Sequence, residues 1–352
     1  MADSPSSTLR SLPATEDGSE HFSMPGVSVV IPAYNYANFL GETMDSVLRQ
    51  QYPRLELIVV DDGSTDNTRE VVESRRRLDS RVRYVHQTNA GLSAARNTGI
   101  RSARHDFVAF LDADDRWLPG FLERTMQTFD RLPENFVVVA AGSHYMDVKG
   151  DLINVKKLAT EQDGEITAHD VLFKTRFGSS SVVVKRAAFE QCGYFDTALR
   201  SSEDRHMWLR IAAHHRIFLL AERLAAVRRH PTSMSRDADR MKENMSRVLR
   251  YAFEHRIVSR REVFFWLKVY SFFYFQTAWM YGDQCRRTRA VRDLLLSVLL
   301  WPWFLQPSAF NEPPLFRVRS LIWFIRTKHR VSQVAGTAAA PLAASAFKQQ
   351  TM

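Results

Sequence analysis

"DFVAFLDADDRW", residues 106 to 117, sets a short apolar run directly before three carboxylates, Asp112, Asp114 and Asp115. Such a run, bounded by charge, reads as a buried strand whose carboxyl end emerges at the rim of a sheet. Carboxylates this close resist joint ionisation unless something positive stands among them. A metal ion, a basic side chain or plain solvent at a loop tip would each meet that need. On an extended segment residues i and i+2 point to one side, so Asp112 and Asp114 can reach a single ion or its bound waters. The set offers hard oxygen donors with no cysteine or near histidine, which favours Mg²⁺ or Mn²⁺ over zinc.

Outward from this stretch the same strand-then-helix unit recurs. "VSVVIPA" (27–33) precedes an amphipathic segment over 37–50, "LELIVVDD" (55–62) one over 66–79, "RVRYVHQ" (81–87) one over 92–103, and the opening strand one over 119–131. The alternation predicts an α/β fold, a mostly parallel sheet with helices on both faces. In such sheets ligands bind at the carboxyl ends of the strands. That rule gathers Pro32, Tyr34 and Asn35, then Asp61 to Asp66, then Asp112 to Asp115, along one edge. Further on come a strand "FVVVAAGSHYM" (136–146), a polar excursion over 147–168, the run "SSSVVVKR" (179–186), a helix within "SSEDRHMWLRIAAHH" (201–215) and a last strand over 217–228.

Composition bounds the chemistry. At 352 residues, 45% hydrophobic and 25% charged, the chain can bury one large core or two smaller ones. Its two cysteines, Cys192 and Cys285, suggest neither a disulfide framework nor a thiolate metal site, and suit a reducing cytosol. Residues 1–25 are rich in Ser, Pro and acids, hold no signal-peptide run, and read as a disordered tail. Net charge is −5 over residues 1–222 but +13 over 223–330. An acidic half attracts cations, and a basic half attracts anionic lipid or nucleic acid. No nucleic-acid-binding motif accompanies the basic half.

Four further motifs invite both a structural and a chemical reading. "VVDDGSTDNT" (59–68) is a strand, an Asp-Gly turn and a capped helix, and its paired acids could also accept bonds from a nucleotide base or ribose. In "NAGLSAARNTG" (89–99), Arg96 could salt-bridge or could offer its planar donor fork to the nucleotide. "SSED" (201–204) fits a capping box between Ser201 and Asp204, yet it also places a carboxylate at a helix start late in the domain. "RRHPTSMS" (228–235) carries His230, which alone is as well explained as a surface group.

Taken together, "VSVVIPAYN", "VVDDGSTD", "NAGLSAARNTG", "FLDADD", "CGYFDTALRSSEDRHMWLR" and "RRHPTSMS", in this order and spacing, resemble the family 2 glycosyltransferases of GT-A fold. The resemblance spans residues 27 to about 235. It implies that Pro32, Tyr34, Asn35, Asp61, Asp62, Arg96 and Asp112 hold the nucleotide of a sugar donor. Asp112 and Asp114 would form the DxD pair that seats a divalent cation, Mn²⁺ or Mg²⁺, on the diphosphate, with His230 completing that site. Asp204 would be the base of an inverting transfer, and Glu203, Asp115 and Trp208 would meet the donor sugar or acceptor. His206 departs from the family pattern, which often has an acid after "ED", and the difference bears on acceptor binding.

The expected organisation is a tail (1–25), a GT-A catalytic domain (26–235), a basic aromatic helical region (236–330) and a flexible end (331–352). The third part holds "EVFFWLKVYSFFYFQTAWMYGD" (262–283) and "AVRDLLLSVLLWPWFLQP" (290–307), neither an uninterrupted spanning length, beside Arg286, Arg287, Arg289 and Arg292. Arg317, Arg319, Arg326, Lys328 and Arg330 flank "SLIWFI" (320–325). Basic and aromatic side chains together suit helices lying on an anionic membrane, or packed on the catalytic domain or a partner subunit. The expectation is a cytoplasmic enzyme, peripheral at the inner membrane face, adding one sugar from a nucleotide donor, UDP-linked by family resemblance, to a saccharide or lipid-linked acceptor of a surface polysaccharide. The alternatives are a nucleotidyltransferase, for which "IPAYNY" lacks a Gly-rich basic loop, and a non-catalytic sugar-nucleotide-binding protein. The processive Gln-x-x-Arg-Trp motif is absent.

Overall fold

The structure, a computed structural model, describes residues 24–153, 162–230 and 237–301 together with 317, 320 and 322. Most of both terminal tails, and the basic flank of "SLIWFI" apart from Arg317, lie outside these described residues.

In chain order the elements are β1 (Val27–Ala33), α1 (Ala37–Leu48), β2 (Leu55–Asp61), α2 (Thr68–Arg76), β3 (Val82–His86), α3 (Leu92–Ser102), β4 (Phe107–Phe110), β5 (Arg116–Trp117) and α4 (Phe121–Arg131). They continue as β6 (Phe136–Met146), β7 (Leu152–Ile153), β8 (Gly164–Ile166), α5 (Ala168–Phe173), β9 (Val182–Lys185), α6 (Ala187–Cys192), α7 (Glu203–Ala212), β10 (Arg216–Arg228), α8 (Ala238–Glu254), α9 (Val263–Asp283) and α10 (Arg287–Leu300).

The sheet runs β3-β2-β1-β4-β9-β6-β10-β5. β1 to β4 are parallel, as the repeating units predict, and β6 is parallel to β10. β9 enters antiparallel between β4 and β6. The order 3-2-1-4 reverses the winding between β1 and β4, and a reversal opens a crevice at the carboxyl ends of the two strands it separates. Those ends are Ala33 and Phe110, so the sheet delivers the Asp112 loop to this crevice.

Alternation along β1 divides the core. Val29 and Ile31 face Leu40, Met44 and Val47 of α1 and Phe121 and Leu122 of α4, while Val30 faces Ala95 and Ile100 of α3 and the layer holding α7. Pro32 sits where β1 has outrun β4, whose pairing ends at Val30 and Phe110, so its missing N–H costs no ladder bond on that side. Gly99 lets α3 lie close on β1, because a Cβ there would stand 2.2 Å from Val30 Cγ1.

The C-terminal helices are not a separate body. Met245, Val248 and Leu249 of α8 and Trp266, Val269 and Phe273 of α9 share one core cluster with Met207 and Trp208 of α7 and Val171 and Leu172 of α5. The aromatic run of α9 is thus largely turned inward, and α9 folds back on α10 through Ser271 with Ser297 and Thr277 with Asp293. No helix among the described residues is long and apolar enough to cross a membrane.

Candidate active site

Backbone geometry at the rim begins with Asn35, held at a φ of 57° in the left-handed region that Asn tolerates better than most residues. Its Oδ1 accepts from Thr65 N at 2.8 Å and its own N–H donates to Ser64 Oγ at 3.0 Å, tying the β1 loop to the β2 loop. Tyr34 beside it is 46% exposed, open to a ligand.

Asp61 and Asp62, expected on the nucleotide, are both buried and are spent on the protein itself. Asp61 accepts from Ser64 N at 2.8 Å, closing the turn at Gly63, and from Tyr84 Oη at 2.6 Å. Asp62 accepts from Gln87 Nε2, Ala90 N and Gly91 N at 2.7–2.9 Å and so shapes the "NAG" loop. Their doubled charge is explained by two sets of donors in neighbouring loops.

Arg96 also departs from the expectation that it faces a nucleotide. Its side chain is buried, and its fork grips Asp112 Oδ1 at 2.7 Å and Glu203 Oε1 at 2.6 Å. Burial works against its charge, yet Asp112 and Glu203 hold it firmly charged. The cation among the crowded acids is therefore, in part, a basic side chain. The same contact makes Glu203 a buried partner of Arg96 and bolts the start of α7 to the Asp112 loop. Asp115 is likewise drawn inward, accepting from Ser180 Oγ and, at 2.8 Å, from Arg228 N. Burial first, then Asp114, pushes its carboxyl well above the usual range. Trp208 is fully enclosed against Phe177 and Phe195, so core packing and not sugar binding accounts for it.

Asp114 meets His230 Nε2 at 2.8 Å, which brings together two of the three expected metal ligands. Burial, then the nearby Asp112, pushes the Asp114 carboxyl up. His230 is stacked on Phe39 and edged by Tyr36. Tyr36, absent from the expected set, faces this cluster: burial and then Asp114, Asp112 and Asp115 drive its phenol upward. Arg228 is the other unheralded organiser. Its Nε donates to Asp114 O at 2.8 Å, Nη1 reaches Asp147 O and Val148 O, and Nη2 holds Glu42 at 2.6 Å. Its place at the end of the last strand, opening "RRHPTSMS", is the only sign of this in the sequence.

Across the bridge stands Asp204, in the first turn of α7. The expected capping box does not form: Ser202 is the N-cap at a φ of 57° with no side-chain bond, and Ser201 Oγ turns to Arg240 O. Asp204 Oδ1 accepts from Arg205 N at 2.6 Å. Its carboxyl is pushed up to about 6, by burial first and by Glu203 second. Arg205 turns away and donates to Val171 O and Leu172 O at the end of α5. His206 faces Tyr251 of α8 at 4.5 Å, and burial holds it neutral with a pKa lowered to about 4. It points into the helical layer and does not replace an acid at the crevice.

No group of three or more His, Cys, Asp or Glu side chains converges as a metal cage among the described residues. Asp112 and Asp114 nonetheless fit a cation shared with a diphosphate, since Mg²⁺-type sites commonly take one or two carboxylates plus phosphate oxygens. Burial first and Asp112 second raise the affinity of Asp114 for a proton, and a cation would relieve the charge that the two carboxylates share.

A doubly wound sheet with acids at its switch point is the α/β architecture that binds ligands at the carboxyl ends of its strands. Residues 28–190 match the model of glycosyl transferase family 2. The putative teichuronic acid biosynthesis glycosyltransferase TuaG of Bacillus subtilis is 33% identical over 187 residues, which cover 53% of this chain and 71% of TuaG. The chain belongs to glycosyltransferase family 2. Of three other curated relatives it spans only 17% to 31% of their length. Among solved structures, the mannosyltransferase PcManGT from Pyrobaculum calidifontis, in complex with GDP-Man and Mn²⁺, aligns at a TM-score of 0.57 and 19% identity over 93% of this chain and 88% of that one. S. aureus TarS 1–349 in complex with UDP-GlcNAc aligns at 0.53 and 18% identity over 80% and 93%. The fold is that of the GT-A glycosyltransferases.

Proposed function

We propose that this chain is an inverting glycosyltransferase that moves one sugar from a nucleoside diphosphate donor, a UDP-sugar in the first instance, to a saccharide or lipid-linked acceptor of a cell-surface polysaccharide. The relationship to TuaG and the fold shared with TarS support this reading, and the lipid-linked form of the acceptor would place the enzyme at the inner membrane face. One observation carries it: Asp204, whose carboxyl burial and then Glu203 push up to about 6, directly follows the Glu203 that Arg96 ties to Asp112 of the acidic loop.

In this reading Asp204 takes the proton of the acceptor hydroxyl, which then attacks the anomeric carbon from the face opposite the leaving nucleotide. A carboxyl near 6 is ionised at neutral pH yet basic enough to accept a proton in the transition state. Asp112 and Asp114 would hold a divalent cation, Mn²⁺ or Mg²⁺, and that ion would offset the charge growing on the departing diphosphate. Tyr34 and Asn35 form the open lip for the nucleotide, while Asp61 and Asp62 shape the loops around it. His230 orients Asp114, and Arg228 fixes the backbone of that loop. The buried Arg96 keeps the base helix and the acidic loop in register, which near-attack geometry requires.

The test is Asp204→Asn, assayed with a panel of nucleotide sugars. Acceptor-dependent turnover is expected to fall by roughly 10²–10⁴, the usual share of a general base, with Mn²⁺-dependent donor binding retained. If turnover survives the change, the assignment of the base is overturned. If no nucleotide sugar binds the unaltered protein, the transferase reading itself falls.

A further inference from the structure

The aromatic run of α9 is mostly consumed by the core, and what it leaves outside is confined to one end of the helical hairpin. Val263 and Phe264, at the start of α9, are 56% and 68% exposed. The antiparallel register, set by Ser271 on Ser297 and Thr277 on Asp293, ends α10 short of Phe264, with Leu299 exposed in its last turn. Phe253, from the last turn of α8, is exposed as well. Phe265 and Trp266, the next residues along α9, turn inward onto His169 and the core. The outward side chains are therefore a selected face and not a fraying end.

Charge gathers at the same corner. Arg256, Arg260 and Arg261 are all exposed there. Arg260 lies over the ring of Phe253 at 4.7 Å and donates to Phe253 O, so it is held in place beside the apolar group. Two carboxylates share the corner, Glu254 and Glu262, and Glu262 is engaged by His169 Nε2 at 2.9 Å. The surface is left net positive. A monomer gains nothing by showing water large apolar side chains ringed by arginine, whereas that pairing matches the lipid–water boundary of an anionic bilayer, where apolar groups enter and guanidinium groups meet headgroups.

We propose that the corner formed by Phe253, Val263, Phe264, Arg260 and Arg261 is a docking surface for an anionic lipid bilayer. It rests on the reading of the acceptor as membrane-borne, and it adds the contact and the orientation. The corner is joined to the base helix by packed structure. Glu262 holds His169 of α5, Phe173 of α5 packs on Phe272 of α9, and the end of α5 is bound by Arg205, next to Asp204. Docking there fixes the height of the crevice above the bilayer.

The experiment is flotation of the full chain with phosphatidylglycerol-containing vesicles and with phosphatidylcholine vesicles, at low and high salt. The unaltered protein is expected to float with the anionic vesicles at low salt and to be released by salt. The pair Val263→Asp with Phe264→Asp, and separately Arg260→Gln with Arg261→Gln, are expected to lower partitioning by roughly tenfold or more. All four positions are exposed, so the melting temperature should hold. Transfer to a soluble acceptor should also be unchanged in both variants. Equal flotation of the variants, equal flotation with phosphatidylcholine alone, or none at low salt overturns the proposal. So does a dimer of the unaltered chain that the Asp pair converts to monomer. Intact flotation without any transferase activity would fault the enzymatic reading and leave the docking surface standing.

Discussion

Asp204 and Glu203 are neighbours with opposite duties. Glu203 gives its charge to Arg96, while burial first and the residual field of Glu203 second raise Asp204. The acid limb of kcat/KM should accordingly follow an apparent pKa near 6, measured on the free enzyme by a pH profile with saturating cation. Glu203→Gln keeps an oxygen for Arg96 but removes the neighbouring charge, and should move that limb to lower pH. The sign for stability follows from the same group. Because the folded carboxyl binds its proton more tightly than the unfolded one, its contribution is fully present below the unfolded value near 4 and is lost as pH rises through about 6. The presence of these acids was plain in the sequence, but their partners were not. Asp61, Asp62 and Asp115 are met by donors on segments far along the chain, among them Tyr84, Ala90 and Arg228, and single-chain spacing carries no record of such meetings.

Elements followed the sequence wherever a period could repeat. β6 spans Phe136–Met146 as the apolar run dictates, and the first four strand–helix units fall within a few residues of their expected bounds. The antiparallel insertion of β9 was hidden, because "VVV" carries no direction. Contacts between elements yield two predictions. In Gly99→Ala the new methyl meets Val30, so α3 must lift from β1, and a loss of roughly 1–3 kcal/mol is expected in denaturant unfolding. Arg96→Met strands Glu203 in the interior and unties Asp112 from α7; a loss of about 3–5 kcal/mol is expected, the usual cost of breaking a buried pair. A paired Arg96→Met and Glu203→Met change should recover part of that stability but not activity, if the bridge serves to align the site.

For the whole molecule, the boundary drawn near residue 236 from composition is not a boundary in the core. α8 and α9 supply Met245, Leu249, Trp266 and Phe273 to the cluster that supports α7. Ending the chain after residue 236 should therefore expose the apolar back of α7, and the product is expected in the insoluble fraction, checked by expression and sedimentation. Mn²⁺ with the correct nucleotide sugar should raise the melting temperature of the full chain, by about 2.7 kcal/mol of linkage at a hundredfold excess over Kd.

The placement of β9 bears on how the chain is made. β4 leaves the ribosome with β1 on one side and nothing on the other, since the strand that closes its far edge ends at Lys185. At roughly 5–20 residues per second the nascent polypeptide waits several seconds with that edge bare. Slow codons between these two strands would lengthen the interval, and trigger-factor-like chaperones would find their window there.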